Sequence, residues 1–492
     1  MKLMPYRLLL HLPLFFACLI LTFGGGLRAE EIKLPELGSS SDQYLTPTSE
    51  KQLGREFMLS VKKNANVLED PLINEYVQDL GNRLLKQSDA SGLDFTFFVL
   101  EEPSINAFAG PGGYIGIHSG LILATQSESE LASVIAHEIA HVTQKHLLRA
   151  FDAANQISGK TAALILASIL VGVAGSPDAG MAMATGAQAS AIQEQINFTR
   201  GNEEEADTVG IQILADAGLD PRAMPVFFER LTHASRLYES GIPEMLRTHP
   251  VTTNRIADAL GRAEQFSYRH YPGSLRYFLT REALRVRQFK EPKHAVEHFA
   301  SGLDEGRHLN QEAHEYGYAL ALMRNRQYAE AQKRIDKLLK NNAGQIEFAL
   351  ASAELAGLRG HPEKGLTLLE TYYTLTPANY PLAVAYIESL TLAGNYAKAR
   401  QVAANAISLR ADNPHLFRLR ARTEELAGNQ TESHRMLAEA YVAEGQLRAA
   451  IQQLEIARRK VDKSDFQQVS RIESRLTRLQ KALKSQDKEK TR

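Results

Sequence analysis

Gly360, Gly394 and Gly428 stand 34 residues apart, and Ala331, Gly365, Ala399 and Ser433 keep the same period. Tyr328 and Tyr396 lie two periods from each other, and lines such as Leu392-Ala393-Gly394-Asn395-Tyr396-Ala397-Lys398-Ala399 recur around the glycines. A fixed period of this length constrains architecture more tightly than composition does. One unit is a helix pair that cannot bury its apolar face alone, so neighbouring units must stack into a solenoid. The glycine lets the chain turn between helices, and the small residue lets neighbouring helices approach. Pro377 and Pro414 mark the ends of units. Gly445 follows Gly428 by half a period, which predicts one helix serving two adjacent units.

The pattern resembles tetratricopeptide repeats, in a degenerate form without any Trp. Such solenoids offer a concave surface that binds other proteins. The plainer alternative is a helical domain that only buttresses its neighbour. Composition changes along with the period. From about Ser274 the chain is rich in Ala, Leu, Glu, Arg and Gln, whereas residues up to about Phe266 mix strands, glycine turns and helices. The expected organisation is a signal peptide over 1–29, a linker over 30–45, an α+β catalytic domain over 46–266, the repeats over 267–480 and a charged tail over 481–492.

Within the α+β half, Ala136-His137-Glu138-Ile139-Ala140-His141-Val142 carries an HExxH motif. The surrounding run from Glu130 to Leu148 has no Gly or Pro to stop a helix. Residues four apart share a helix face, so His137 and His141 can aim two imidazole nitrogens at one metal ion. Glu138 lies on the flank, within reach of a water beside that ion, which is the arrangement of a zinc protease. Chance supplies this motif roughly a few times in a hundred chains of this length. The motif therefore needs a third ligand, supporting residues and a suitable compartment.

Three elements meet the first two needs. Gly201-Asn202-Glu203-Glu204-Glu205-Ala206-Asp207 opens an apolar helix through Val209, Ile211 and Leu214. Glu203 and Asp207 share a face, so one can bind zinc while the other orients a ligating His through its free ring N–H. Phe95–Leu100, Asn106–Ala109 and Tyr114–Ile117 read as strands around a Gly110-Pro111-Gly112-Gly113 turn. An edge strand there either binds an extended peptide by strand addition or is purely structural. Finally, Arg247-Thr248-His249-Pro250 precedes Asn254-Arg255. His249 and Arg255 can meet a developing oxyanion, or His249 can take the open zinc position and shut the enzyme down.

The compartment is read from the N-terminus. Lys2 and Arg7 precede an apolar run, Leu8 to Phe23, and a small-residue stretch ending at Ala29. This is the pattern of a cleaved secretory signal, with an uncleaved anchor as the alternative. Cys18 is the only cysteine of the sequence, so the mature chain is expected to hold zinc with His and carboxylate alone. Secretion without disulfides fits a bacterial periplasm. The formal net charge is -1 and no basic block stands out, so nucleic-acid binding gets no support.

Together HExxH (His137, Glu138, His141), ExxxD (Glu203, Asp207), the Asn106-Ala107-Phe108-Ala109 strand with its glycine turn, and the His249-Pro250 to Arg255 element resemble the HtpX/CAAX-prenyl-protease type of zinc metallopeptidase. The resemblance implies a gluzincin-like α+β metallopeptidase domain followed by an all-α tetratricopeptide-repeat solenoid. It implies one zinc held by His137, His141 and Glu203, Glu138 as base, and Asp207 supporting a ligand. The chain departs from the family's membrane-spanning members: its one internal apolar run, Ala162 to Ala174, is short and contains Gly172. With the following stretch to about 191 it reads as a helical flap near the site, or as a segment touching a membrane surface. The order of domains is similar to that of the BepA-type family of periplasmic proteases. That similarity implies outer-membrane β-barrel proteins as clients and the barrel-assembly machinery as a partner of the repeats. The rival reading is a chaperone or scaffold with a latent protease site.

Overall fold

The computed structural model describes residues 47–90, 94–147, 149, 200–237 and 243–490. The expected signal peptide, the linker over 30–45 and the 162–191 segment lie outside the described residues. The chain forms an α+β half and an all-helical half, as expected. Among the described residues no helix is long and apolar enough to cross a membrane.

The first half begins with helices α1 (Pro47–Asn64) and α2 (Pro71–Leu85). Asp70 caps α2 by accepting from the backbone N–H groups of Leu72 and Ile73, satisfying two of its otherwise unpaired donors. A three-stranded sheet follows, of β1 (Thr96–Leu100), β2 (Ala107–Ala109) and β3 (Tyr114–His118). β3 is central, parallel to β1 and antiparallel to β2, which forms an edge. The β2–β3 turn needs glycine at two points, Gly112 (φ 69°) and Gly113 (φ 77°). Ile115 and Ile117 enter the main core with Phe97 and Val99.

A short helix α3 (Ser119–Ala124), which the sequence pattern did not signal, leads into α4 (Glu128–Thr143), the HExxH helix. Ser127 caps α4 by accepting from the Glu130 N–H. Every residue of α4 from Ser129 to His141 is buried, which makes it a central helix with no solvent face. It packs against α2, the β2 and β3 strands, α5 (Arg200–Asp216) and α6 (Ala223–Leu237). The expected helical run to Leu148 is broken: α4 ends at Thr143, and Lys145 takes a left-handed conformation (φ 54°). Two shorter helices complete this half, α7 (Glu244–Thr248) and α8 (Thr253–Ala263).

The second half is a series of helix pairs. They are α9 (Leu275–Gln288) and α10 (Pro292–Asp304), α11 (Gln311–Arg324) and α12 (Tyr328–Asn341), α13 (Ile346–Leu358) and α14 (Pro362–Leu375). Then come α15 (Tyr380–Leu392) and α16 (Tyr396–Leu409), α17 (Pro414–Leu426) and α18 (Gln430–Ala443), and α19 (Leu447–Lys460) and α20 (Phe466–Lys490). The periodic glycines end the first helix of their pairs at positive φ: 81° at Gly360, 75° at Gly394 and 79° at Gly428. Each is followed by a backbone bond back to the last turn, such as Asn395 N–H to Leu390 O at 2.9 Å, which closes the helix end. One period upstream Arg326 holds the same conformation (φ 60°) without being glycine. Helix α18 packs on both α17 and α19, in keeping with the half-period glycine at 445. The charged segment after 481 continues α20 as helix to Lys490; it contains no Pro or Gly to end one.

Helix α9 joins the halves. Tyr277 and Leu284 lie in the core of the α+β half while Leu279 lies in that of the repeats. Further along, Arg410 grips Glu75 of α2 with both nitrogens, Arg276 bonds Asp79 at 3.0 Å, and Arg287 bonds Glu101 at 3.0 Å.

Helix α7 is docked on the loop after β1, where the Met245 N–H donates to Ile105 O at 3.1 Å. Beside it Ser104 Oγ meets His118 Nδ1 at 2.7 Å. Burial holds the His118 imidazole down at about 4. Burial also pushes the Glu244 carboxyl up to about 7; the charge of Arg247 and the hydroxyl of Ser104 oppose the shift, and Glu102 adds to it.

Two outcomes follow from this packing. A Cβ on Gly365 would lie 2.6 Å from the backbone oxygen of Ala353, a clash that no rotamer relieves. Gly365→Ala gains about 1 kcal/mol of helix propensity but incurs an overpacking cost of about 1–3 kcal/mol. Its melting temperature by circular dichroism is expected to fall. Glu244 keeps its proton in the fold at pH values where the unfolded chain, titrating near 4.5, has lost it. Its contribution is therefore present below about pH 4.5 and lost as pH rises through about 7. Glu244→Gln should melt higher than wild type at pH 8 and alike at pH 4.5; equal melting at both would show that this carboxyl is not held neutral.

Candidate metal centre

Five chain segments converge at one buried point. Helix α4 supplies His137, Glu138 and His141, each at most 2% exposed. Helix α5 crosses α4 closely enough to face them because Gly210 sits at the crossing. A Cβ there would lie 3.3 Å from the His137 backbone nitrogen and 3.0 Å from the Met224 methyl. That approach presents Glu203 and Asp207, both buried, to the histidines. His249 follows α7, with its backbone N–H bonded to Met245 O at 2.7 Å, and Arg255 stands in the first turn of α8, which Thr252 caps. Strand β2 closes the remaining side.

The ligand atoms of His137, His141, Glu203 and His249 all lie within 4.8 Å of one another. His137 Nε2 is 2.9 Å from His141 Nε2 and 3.4 Å from His249 Nδ1. Glu203 places one oxygen 3.5 Å from His137 Nε2, and the other 3.5 Å from His141 Nε2 and 3.1 Å from His249 Nδ1. Four donors set about 2.0–2.1 Å from one ion in a tetrahedron stand about 3.3–3.5 Å apart. The spacing and the N/N/N/O chemistry thus fit a divalent metal ion. His249 stands where a fourth ligand would complete the shell.

Around these four atoms lies a set of buried charges. Asp207 Oδ1 is 3.0 Å from His137 Nδ1, on the ring edge away from the cluster. Arg255 donates through Nε and Nη2 to the two oxygens of Asp207, each at 2.8 Å. Its Nη1 lies 2.8 Å from Glu203 and 2.8 Å from Pro250 O. Burial raises a carboxyl, but His249 and His137 hold Glu203 well below the usual range, and His137 with Arg255 holds Asp207 down. Burial also raises Glu138, against the pull of His249 and His137. His249 Nε2 is 3.6 Å from Glu138 Oε1.

Strand β2 turns the edge that no other strand pairs with, among the described residues, toward this point. Gly110 N–H pairs with Tyr114 O and His118 N–H with Asn106 O. In an antiparallel ladder inward and outward residues alternate, so Ala107 and Ala109 direct their backbone groups away from β3. The Ala109 backbone is near enough to Glu138 to oppose, in small part, the rise that burial gives its carboxyl.

All seven site residues singled out in the sequence come together here. Arg255 does so in a different manner: its guanidinium is bound by two carboxylates and a carbonyl rather than turned toward an open oxyanion position. Three further residues were not read from the sequence. His146 lies against His141, and Glu205 and Arg149 lie beyond it. His146 is five residues past His141, off the shared helix face, so periodicity gave no signal for it.

Residues 71–263 match the model of peptidase family M48. The chain is similar to the β-barrel assembly-enhancing protease of Yersinia pestis, at 33% identity over 463 residues, which is 93% of each chain. It is similar to the protein of that name in Escherichia coli K12, at 33% identity over 452 residues, 91% of each. The mitochondrial metalloendopeptidase OMA1 of Arabidopsis thaliana is 31% identical over 216 residues, covering 44% of this chain and 41% of that one. The metal-binding geometry, the matched peptidase region and the extent of the full-length matches agree: the chain is a metalloendopeptidase of peptidase family M48 and belongs to the family of the β-barrel assembly-enhancing proteases.

Proposed function

We propose that the chain is a periplasmic zinc endopeptidase whose repeats receive outer-membrane β-barrel proteins and the machinery that assembles them, and whose catalytic site removes barrel proteins that stall. The observation that carries this reading is the buried His137–His141–Glu203 triangle with Glu138 beside it. The names of the full-length relatives support the clients. The positively charged, then apolar N-terminal pattern supports the periplasm.

His137, His141 and Glu203 would hold the zinc. A bound zinc ion supplies Lewis-acid polarisation of a scissile carbonyl and lets water act as a nucleophile at neutral pH. Glu138 takes the water's proton and passes it to the leaving amine; burial, which favours its protonated form, suits a group that must both accept and return a proton. The outward edge of β2 pairs with an extended client segment and lays it beside Glu138. Asp207 fixes the His137 ring, and Arg255 clamps Asp207 and Glu203, replacing the oxyanion role first expected of it.

His249 acts as a latch. Its Nδ1 stands 3.1 Å from Glu203 and 3.4 Å from His137 Nε2, a proximity that supports competition between this ring and a nucleophilic water. With the latch closed the chain serves as a binding factor; with it open, as a protease. A second role, contact with the oxyanion, is favoured by the same proximity once the ring swings aside.

Two measurements test this. Glu138→Gln should keep one zinc per chain yet cleave an unfolded β-barrel protein about 10²–10⁴-fold more slowly than wild type; equal cleavage by the two proteins sinks the assignment. His249→Ala should raise basal cleavage several-fold at unchanged zinc content. If cleavage instead falls, His249 contributes to turnover and the latch is wrong.

A further inference from the structure

His141 and His137 each have a ring nitrogen directed away from the ligand cluster, and each meets a partner there. For His137 the partner is Asp207. For His141 the partner of Nδ1 is another histidine: His146 Nδ1 lies 2.6 Å away, the two rings at 71° with centroids 4.8 Å apart. His146 is fully buried. Its other nitrogen, Nε2, lies 3.1 Å from Glu205 Oε2, which also accepts from Arg149 at 3.0 Å. Glu205 and Arg149 are part-exposed, so the chain of contacts runs from the centre to the surface.

The backbone is bent to make this contact. On a continuing helix, residues five apart diverge by about 140° and their side chains do not meet. Here α4 stops at Thr143 and Lys145 adopts φ 54°, a conformation that costs a non-glycine residue about 1–2 kcal/mol. That single left-handed residue folds His146 back onto His141.

The protonation pattern is fixed by what each atom faces. His141 Nε2 points into the ligand cluster and must offer a lone pair there, so its Nδ1 carries the hydrogen and donates. His146 Nδ1 then accepts, its Nε2–H donates to Glu205, and Arg149 neutralises that carboxylate. We infer that His146, backed by Glu205 and Arg149, is a positioning residue that fixes the ring orientation and tautomer of His141 for metal binding, the counterpart of Asp207 and Arg255 behind His137. This rests on the metal-centre reading above and adds a role for residues outside it. Partners of this kind, when removed, weaken metal affinity by about 10–100-fold.

The test uses the full chain, stripped of metal and titrated with zinc against a competing chromophoric chelator, with cobalt(II) added in parallel for its visible spectrum. His146→Ala is expected to bind zinc about 10–100-fold more weakly and to give an altered cobalt spectrum. His146→Asn, which keeps an acceptor near the Nδ1 position, should recover most of both. Glu205→Ala, at a part-exposed site that leaves the core intact, should weaken zinc by a smaller factor while the metal-free protein melts as wild type. Wild-type affinity and spectrum in His146→Ala overturn the inference, as does a loss that His146→Asn does not reduce or an unchanged affinity in Glu205→Ala. A wild-type chain that binds no zinc overturns the metal-centre reading itself.

Discussion

The site depends on two carboxylates, Glu203 and Asp207, held ionised inside the protein. Each buried charge costs several kcal/mol unless it is paired and hydrogen-bonded. Arg255 meets that demand with three of its nitrogens, and His137 and His249 complete it. The arrangement therefore places strict conditions on its surroundings. Helix α5 must approach α4 closely, which Gly210 permits, and α8 must bring a guanidinium into the core from a later part of the chain. Losing one partner would leave a buried charge exposed to its full desolvation cost. The same network that holds the ligands thus ties four helices together.

The two halves of the molecule are held by unequal means. The ion pairs between them, such as Arg276–Asp79 and Arg287–Glu101, are partly exposed, and pairs of this kind are worth about 0–1 kcal/mol each. Helix α9 contributes more, since burying side chains such as Tyr277 and Leu284 stabilises by about 1.5–3 kcal/mol apiece. The junction is thus a shared helix core, supplemented further along by the Arg410 grip on Glu75 of α2.

Much of the site was legible from local pattern. His137, Glu138 and His141 follow from helical spacing alone, as do the shared face of Glu203 and Asp207. The repeat glycines were legible for the same kind of reason: a helix that must turn back needs a residue tolerant of positive φ. Arg326 shows the limit of that signal, because it adopts the glycine conformation without glycine and drops out of the pattern. His146 shows a second limit. Its contact with His141 exists only because the helix breaks at Lys145, and nothing in the Glu130–Leu148 run announces a break. The charged segment after 481 is helical to Lys490, since charge alone does not stop a helix.

Local spacing made the pairing of His137 with His141, the shared face of Glu203 and Asp207 and the stacking of helix pairs legible, because each rests on residues a few positions, or one repeat, apart. Tertiary structure decided what those residues do to one another. It brought His249 up to His137, His141 and Glu203 with α7 docked on Ile105, set the Arg255 guanidinium against two carboxylates, and laid the β2 edge beside Glu138. Those are contacts between segments separated by tens to more than a hundred residues. Periodicity carries no information about them, and they are fixed only by the close packing of α4 with the elements around it.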